Sequence, residues 1–346
     1  MPILSPTFLK NKTILITGGT GSFGSGFVKH LLQNFQPRKV IVFSRDELKQ
    51  SQMRAKMQAY VDADKLSFFL GDIRDLSRLQ KAFRMVDIVV HAAALKQVPT
   101  LEYNPFEAIQ TNILGSQNVV DAAVDQGVGK VVLISTDKAA QPVNLYGATK
   151  LCSEKLFING NFFADRTIKH PTTLSVVRYG NVIGSRGSVV EDLLKNKEAN
   201  KIKKVNITHP DMTRFWISLE NSFELVMFAL THMNGGEIFV PKIHSMKVSD
   251  LFDALAPDTE KEIVGIRPGE KLHEVLLTED EARHTVELDN HYVILSEFPD
   301  FKKGVYKKYH NMGKKTKHGF SFVSHTNDKW LTRKGLLKII EESKLI

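Results

Sequence analysis

Residues Thr13–Gly24 read TILITGGTGSFG, so a β-branched, apolar run leads directly into a glycine-rich loop. A helical pattern follows the loop. Glycines at 18, 21 and 24 let the backbone turn tightly and approach a pyrophosphate at the unpaired amide groups of a helix N-terminus. A glycine-rich loop alone is often an ordinary turn, but the strand before it and the helix after it are the context of a dinucleotide site. The stretch therefore predicts nucleotide binding at Gly18, Gly21 and Gly24.

Short β-branched runs alternate with helical patterns through the first half of the chain. The predicted strands are Thr13–Thr17, Lys39–Ser44, Leu66–Leu70, Asp87–His91, Lys130–Ser135 and Thr173–Arg178. This alternation predicts an α/β fold, a doubly wound parallel sheet of the Rossmann type, with its ligand crevice at the carboxyl ends of the strands. We assign residues 8–180, with a returning segment near 212–242, to the nucleotide-binding domain. Residues 181–211 and 243–346, where the alternation breaks down, are assigned to a smaller α/β substrate domain.

Composition limits the class of protein. The chain has 346 residues, 42% of them apolar and 25% charged, which is typical of a globular protein with roughly two domains. The longest uncharged stretch, Thr13–Val28, is rich in glycine and too short to span a bilayer, and no signal peptide is evident. Cys152 is the one cysteine, so a disulfide framework is excluded and a cytoplasmic location is expected. The histidines have no zinc-type spacing, so no metal site is predicted.

The net charge of +9 would suit a nucleic-acid partner, but its distribution argues against one. Seven lysines fall in one acid-free segment: Lys302, Lys303, Lys307, Lys308, Lys314, Lys315 and Lys317. Without them the rest of the chain carries only +2. Such a segment is more often a solvated face than a polyanion site, so we predict no nucleic-acid partner.

The end of the second strand indicates which dinucleotide is bound. An acid there would bind the ribose hydroxyls of NAD, whereas this strand ends in Ser44 and Arg45, with Lys49 one helical turn later. A guanidinium suits a 2′-phosphate, so NADP is favoured, although Asp46 tempers this and a plain surface arginine is the alternative. Asp72, after the third strand, is placed to accept the adenine amino group, or else is a helix N-cap.

Candidate catalytic residues follow the fifth strand. Thr136, Asp137 and Lys138 come first, and Tyr146 and Lys150 follow at a spacing that places both on one helix face. The Lys150 ammonium would then lower the pKa of the Tyr146 phenol, so that the phenolate could take a proton from a sugar hydroxyl while hydride leaves the same carbon.

The chain resembles the extended short-chain dehydrogenase/reductase family of nucleotide-sugar enzymes. Within that family it is most similar to the inverting UDP-N-acetylglucosamine 4,6-dehydratases that begin pseudaminic acid synthesis. The matching segments are Thr17–Gly24, Ser44–Gln50, His91–Lys96, Thr136–Lys138, Tyr146–Lys150, Arg178–Val182, Ser185–Val189, Met212–Phe215, Ile266–Lys271 and Ser324–Asn327. The glycine loop is shared by many relatives, whereas Asp137-Lys138 combined with Arg267–Lys271 is specific.

The resemblance implies a role for each matching residue. Asp137 is the acid that protonates the departing C6 oxygen and Lys138 is the base at C5, where the dTDP-glucose enzymes carry Asp-Glu. As a base Lys138 must be neutral, and the oxidised nicotinamide nearby is expected to depress its pKa. The further cofactor-binding residues expected are Thr20, Ser22, Phe23, Ile73, Ala92 and Ala94. The substrate-binding residues expected, with Thr136 and Asp137, are Lys96, Asn181, Arg186, Val189, Thr213 and Arg267.

Arg267 is the leading candidate for the UDP diphosphate, because a planar fork matches two phosphate oxygens. Arg186 and Arg214 could equally pair with local acids. Tyr146 stands where large membrane-bound relatives usually have methionine, which favours the type without a membrane anchor. A homo-oligomer is implied by the resemblance alone.

Three alternatives remain open from the sequence. Two are enzymes, a UDP-sugar 4-epimerase, which needs no second acid/base pair, and a C5-retaining 4,6-dehydratase. The third is an NADP-binding regulatory or polyanion-binding module without catalysis, which the intact Tyr146, Lys150, Asp137 and Lys138 disfavour.

Overall fold

A ten-stranded sheet forms the centre of the protein in a computed structural model, which describes residues 8–164, 171–198, 204–298 and 306–343. In chain order the strands are β1 Thr13–Thr17, β2 Lys39–Ser44, β3 Leu66–Leu70, β4 Ile88–His91, β5 Lys130–Thr136, β6 Thr173–Tyr179, β7 Asn181–Val182, β8 Lys204–Ile207, β9 Thr213–Ile217, β10 Ile238–Pro241, β11 His244–Lys247, β12 Glu260–Ile263, β13 Val275–Leu277, β14 Thr285–Glu287, β15 His291–Ile294, β16 Lys314–Lys315 and β17 Phe322–Val323.

Helices alternate with the strands along the chain. In chain order they are α1 Ser22–Asn34, α2 Glu47–Lys56, α3 Gln58–Asp62, α4 Leu76–Ala82, α5 Val98–Tyr103, α6 Pro105–Ala108, α7 Gly115–Asp125, α8 Leu145–Gly160, α9 Val189–Glu198, α10 Leu219–His232, α11 Val248–Leu255, α12 Glu279–Ala282, α13 Lys307–Met312 and α14 Arg333–Glu342. A π-helical turn, Ile109–Leu114, joins α6 to α7, and a 3₁₀ turn, Asp137–Ala139, follows β5.

The predicted parallel sheet is confirmed. Strands β3-β2-β1-β4-β5-β6-β10 pair in this order and all run parallel. Parallel strands covered by helices are buried on both faces, and β1 is buried along its whole length. The bounds of β1, β2 and β3 are those predicted, while β4 begins one residue later than expected and β5 and β6 end one residue later.

The C-terminal part of the chain contributes strands to the large sheet. Strands β15, β14 and β16, all from the range assigned to the substrate domain, continue the large sheet antiparallel beyond β10. They cover an edge of β10 that would otherwise present unpaired backbone groups. Within the expected returning segment, β10 joins the large sheet, whereas β9 pairs with β7 and β11 in a small separate sheet.

A second hydrophobic core lies outside the large sheet. It is built on α9, α11 and α14 and includes Trp216, Met246, Leu251, Leu336 and Ile340. The residues of this core run from Ile183 to Ile340 in the chain.

The lysine-rich segment lies partly within the described residues. Lys302 and Lys303 lie outside the described residues, while Lys308 donates to the His232 carbonyl and the Asn234 side chain, and Lys314 lies 3.6 Å from Glu287. In these contacts both lysines bind groups of the protein itself.

In the described parts of the chain, none of the helices has the length and apolar character needed to cross a bilayer.

Candidate active site

A cleft of about 290 Å³ opens at the carboxyl ends of β1 to β4. The predicted residues that line it are Gly18, Thr20, Gly21, Ser44, Arg45, Asp46, Lys49, Asp72, Ile73, Ala92 and Ala94. The sequence did not indicate five further lining residues, Phe43, Gly71, Ala93, Leu95 and Thr111. The cleft lies at the crevice expected for a doubly wound sheet.

Two glycines of the loop are required by close backbone approach. Gly18 has φ +66°, and a Cβ there would lie 2.8 Å from the backbone of Ala93. A Cβ on Gly24 would lie 2.5 Å from the Gly18 carbonyl oxygen. Side chains at these positions would therefore break the loop that a pyrophosphate must approach.

Three predicted cofactor residues of the loop, Ser22, Phe23 and Gly24, lie outside the cleft lining. Ser22 Oγ accepts the backbone N–H of Arg186 at 2.9 Å, so the glycine loop is tied to the second half of the chain. Phe23 packs its ring against Phe27 and Phe223, with centroids 5.4 and 5.5 Å away. Its side chain therefore belongs to the hydrophobic core.

Charged side chains of both signs line the cleft beyond β2. Arg45 is half exposed and its guanidinium lies 3.5 Å from Asp72 Oδ2. Asp46 caps α2, accepting the Lys49 N–H at 2.9 Å, and its carboxylate also pairs with the Lys49 ammonium at 2.5 Å. Asp46 is thus neutralised locally. Asp72 is not the N-cap of a helix; it accepts the backbone and guanidinium N–H groups of Arg74.

At the end of β5, Lys138 lies between two carboxylates. Its Nζ is 3.1 Å from Asp137 Oδ1 and 3.2 Å from Glu274 Oε1. Glu274, directly before β13, was missed at the sequence level, although it follows the matching segment Ile266–Lys271. Behind it, Arg214 Nε lies 3.6 Å from Oε1 and Lys271 Nζ lies 3.7 Å from Oε2.

The electrostatics of this cluster differ from the expectation for Lys138. Burial alone would lower the pKa of Lys138, but the charges of Asp137 and Glu274 outweigh burial and raise it. The depression of the Lys138 pKa expected from oxidised nicotinamide stays a prediction, while these two carboxylates act in the opposite direction. Asp137 is fully buried, and burial raises its pKa against the opposing charge of Lys138. Burial also opposes the ionised form of Glu274, yet the charges of Lys138, Arg214 and Lys271 hold its pKa below the ordinary value.

In the structure Lys150 has a hydrogen-bond partner other than the expected Tyr146 phenol. Lys150 Nζ donates to the Ile134 carbonyl at 2.8 Å, and burial lowers its pKa to about 8. Burial raises the pKa of Tyr146 to about 12, and the charge of Lys138 is the largest opposing influence, followed by a hydrogen bond from Thr136. Lys138 rather than Lys150 is thus the cation that acts on the phenol.

The start of α8 packs directly on the 3₁₀ turn Asp137–Ala139. Asn144 caps the helix by accepting the Gly147 N–H at 2.8 Å. A Cβ on Gly147 would overlap the Lys138 carbonyl oxygen, so only glycine fits at this position. The turn and the helix therefore fix each other.

The expected substrate residues have different fates. Lys96 Nζ donates to the Arg186 carbonyl at 2.9 Å, so these two residues lie together. Val189 begins α9, and Asn181 is half-buried in β7. Thr213 is buried and its hydroxyl bonds His273 Nδ1 at 2.8 Å and Ser324 Oγ at 2.6 Å. Its side chain is thus committed within the protein.

The two candidate arginines for the diphosphate also differ. Arg214 is 9% exposed and donates to the Thr213 carbonyl at 2.8 Å, so it is locked in place. Arg267 is 60% exposed, with Glu270 4.0 Å away. Its loop lies against the start of α8, because Asn144 donates to the Gly269 carbonyl at 2.8 Å.

His91 and Cys152 lie in different environments. His91 is buried, hydrogen-bonded to Thr17 and Ser116, as a packed residue. Cys152 is exposed. Within residues 8–164, 171–198, 204–298 and 306–343, His, Cys, Asp and Glu form no cluster of three that could bind a metal ion.

Comparison with known proteins places this geometry in context. The family model described as "Polysaccharide biosynthesis protein" matches residues 14–296. An inverting UDP-N-acetylglucosamine 4,6-dehydratase of Campylobacter jejuni is 48% identical over 96% of this chain and 98% of its own. A UDP-glucose 4-epimerase of Rickettsia conorii is 41% identical over 88% of both chains. The X-ray structure of Pen from Bacillus thuringiensis has a TM-score of 0.86 at 34% identity, covering 98% of this chain and 99% of that one.

Proposed function

This chain belongs to the polysaccharide biosynthesis protein family, and from that premise we propose that it removes water from UDP-N-acetylglucosamine between C5 and C6 with inversion at C5. The product is a 4-keto, 6-deoxy sugar nucleotide of L-arabino configuration, and the enzyme is a hydro-lyase. The observation that carries the proposal is the Asp137–Lys138 pair at the end of β5, with 3.1 Å between carboxylate and ammonium nitrogen.

Elimination needs one proton taken from C5 and one given to the C6 oxygen. Lys138, as the neutral amine, takes the C5 proton, which a ketone at C4 makes acidic. Asp137, as the carboxylic acid, gives its proton to the C6 oxygen, which leaves as water while the C5–C6 double bond forms. Burial favours the protonated form of Asp137 that this step requires. The Lys138 ammonium can then return its proton to the Asp137 carboxylate across their contact, and the pair is reset.

Oxidation at C4 needs a separate base. Tyr146 is the candidate base. The positive charge of Lys138 and a hydrogen bond from Thr136 each lower the pKa of its phenol, whereas burial raises it. The loop glycines, Ser44 and Asp72 would hold a nicotinamide dinucleotide along the cleft. A nicotinamide bound there would supply hydride transfer from C4 to C6. A solvent-derived proton added to C5, on the face opposite to the one that lost its proton, completes the product, so the net reaction is redox-neutral.

We propose NADP rather than NAD as that cofactor. The support is local charge at the end of β2, where Arg45 and Lys49 line the cleft and the carboxylate of Asp46 is paired.

We also propose a cytoplasmic location, supported by the single cysteine, and a homo-oligomer. Exposed apolar side chains on the helices beside the sheet, Tyr103, Phe106 and Leu114, support the last point. Sedimentation of the purified protein tests it.

A UDP-sugar 4-epimerase is the second candidate, because a relative of that name is 41% identical. An epimerase returns hydride to C4 and needs neither Asp137 nor Lys138. In an epimerase, burial of two carboxylates around Lys138 would cost folding free energy and serve no step of the reaction. The cluster therefore favours the dehydratase.

The deciding experiment is incubation with UDP-N-acetylglucosamine in deuterated water, followed by NMR. A dehydratase yields a C6 methyl, deuterium at C5 and the inverted configuration. An epimerase yields the galacto isomer with an intact C6 hydroxyl and no deuterium at C5. Lys138→Ala should block elimination while C4 oxidation persists as reduced-cofactor absorbance, and exposed Lys155→Ala on α8 is the matched control. Dehydration by Lys138→Ala at the wild-type rate would refute Lys138 as the base.

A further inference from the structure

Glu274 is a buried carboxylate that the mechanism above leaves without a task. Its residue is 2% exposed, and its backbone is fixed by hydrogen bonds of 2.9 Å in both directions with Ser324. Its Oε1 accepts from Lys138, while Oε2 makes no hydrogen bond among the residues described. A carboxylate held this firmly in the interior needs compensating charge, which Lys138, Arg214 and Lys271 provide.

We propose that Glu274 is a positioning residue for the proton transfers at C5: it holds the Lys138 nitrogen beside Asp137 and is itself anchored by Arg214 and Lys271. This inference rests on the proposed dehydratase function. It also gives Arg214 a role other than binding the diphosphate.

The argument begins from what Asp137 must do. To act as an acid, Asp137 has to be protonated, and in that state it no longer offers a negative charge to Lys138. When Lys138 takes the C5 proton while Asp137 is still protonated, the partly buried ammonium that forms needs another counter-charge. Glu274 supplies a second carboxylate, 3.2 Å from the same nitrogen, that remains when Asp137 is neutral.

Arg214 keeps Glu274 in this role. Its guanidinium donates to the carbonyl oxygens of Thr213 at 2.8 Å and Leu272 at 3.3 Å, which fixes its position. The Nε edge then faces Glu274 at 3.6 Å. The groups that face Lys138 are therefore the carboxylates of Asp137 and Glu274, the guanidinium of Arg214 and the phenol of Tyr146, with Lys271 beyond Glu274.

The test is Glu274→Gln, which keeps the shape and removes the charge. We expect dehydration and deuterium entry at C5 to fall by about tenfold or more, because a charged hydrogen bond is lost. C4 oxidation, measured as reduced-cofactor absorbance, should stay close to wild type. A carboxylate beside an ammonium favours the protonated lysine, so its removal should also shift the midpoint of the C5-exchange pH profile to lower pH.

Two variants control for structural damage. Glu281→Gln makes the same change in a carboxylate that pairs with Arg178 and not with Lys138, so it should leave the midpoint in place. Glu274→Asp keeps the charge on a shorter side chain and should keep the wild-type midpoint at a reduced rate. If Glu274→Gln slows C4 oxidation and C5 exchange equally and leaves the midpoint unmoved, Glu274 is a structural residue and the proposal is wrong.

A readout without substrate separates this proposal from the function. In protein labelled with ¹³C-lysine, the Lys138 signal is assigned through Lys138→Ala, and its titration midpoint should be lower in Glu274→Gln than in wild type. An equal midpoint overturns the role of Glu274 whatever the enzyme acts on. Failure of the wild-type protein to dehydrate the sugar overturns the proposed function alone.

Discussion

Lys138 and Glu274 stand 136 positions apart in the chain, yet Nζ and Oε1 lie 3.2 Å from each other. The segment that carries Glu274 is attached to the large sheet a second time by Arg178 of β6. The Arg178 guanidinium binds Glu154 of α8 at 2.6 Å, Glu281 of α12 at 2.8 Å and the Leu276 carbonyl at 3.1 Å. The contact between Lys138 and Glu274 therefore depends on docking of the C-terminal segment on the sheet and on α8.

The first prediction concerns the cofactor phosphate. If Arg45 binds a 2′-phosphate, Arg45→Ala should weaken NADP by about 1.5–3 kcal/mol, roughly ten- to a hundredfold, and leave NAD nearly unchanged. Calorimetric titration with both dinucleotides measures the difference. Arg54→Ala is the control, since Arg54 lies over the Phe68 ring and does not line the cleft. Equal weakening of NAD and NADP by Arg45→Ala would remove the basis for choosing NADP.

The second prediction concerns the substrate diphosphate. Arg267 presents a largely exposed guanidinium beside the start of α8, so Arg267→Ala should raise KM for the UDP-sugar by roughly tenfold or more. NADP affinity should not change, because the cofactor cleft lies at β1 to β4. Steady-state kinetics and a cofactor titration measure the two quantities. Arg283→Ala, in an exposed pair with Asp280, is the control, and an unchanged KM in Arg267→Ala would place the diphosphate elsewhere.

The sequence predicts the parts of this protein that depend on neighbouring residues. Strands β1 to β3 have the predicted bounds because β-branched runs between turn residues mark buried parallel strands. The Asp137–Lys138 pair is likewise adjacent in the chain. Asp72, expected as a cofactor ligand or else an N-cap, lines the cleft and accepts from Arg74, while Asp75 is the residue that caps α4.

Long-range contacts account for what the sequence did not predict. Helical spacing does place Tyr146 and Lys150 on one face, but Lys150 donates to the Ile134 carbonyl of a neighbouring strand. The π-helical turn holds Asn112, whose amide donates to the Leu95 carbonyl at 2.9 Å, another partner distant in the chain. Glu274 belongs to the same class, since no local pattern indicates which carboxylate folds onto a given lysine.

The third prediction concerns Gly147. Alanine normally stabilises a helix relative to glycine, but a Cβ at 147 would overlap the Lys138 carbonyl oxygen. Gly147→Ala should therefore lower the free energy of unfolding by about 1–3 kcal/mol and slow C5 deuterium exchange. Urea unfolding and the NMR assay measure these effects.

Gly335→Ala is the matched control for that variant. Gly335 lies in α14, where a Cβ would lie 3.2 Å from the flexible end of Leu331. This change should leave exchange at wild-type rate and stability unchanged or higher. A Gly147→Ala protein that is more stable and fully active would show that α8 does not fix the 3₁₀ turn Asp137–Ala139.

The last prediction concerns pH and stability. His91 is 1% exposed, with Nδ1 2.6 Å from Thr17 Oγ1 and Nε2 3.2 Å from Ser116 Oγ, and burial lowers its pKa to about 3, with the charge of Lys150 acting in the same direction. Below pH 6.5, the ordinary value, the unfolded chain binds a proton at His91 that the folded protein does not bind. Stability is therefore full above that pH and falls as the pH falls, by about 1.4 kcal/mol per unit for this group.

His91→Gln cannot titrate but can still hydrogen-bond, so its free energy of unfolding should depend less steeply on pH between about 6 and 4, by that amount per unit. Part of the slope should remain, because burial also lowers the pKa of His291, to about 4. Urea unfolding at several pH values measures the slopes, and His310→Gln, at an exposed position on α13, should keep the wild-type slope. Parallel curves for wild type and His91→Gln would mean that His91 takes up its proton in the folded protein, and its bonds to Thr17 and Ser116 would then have to rearrange.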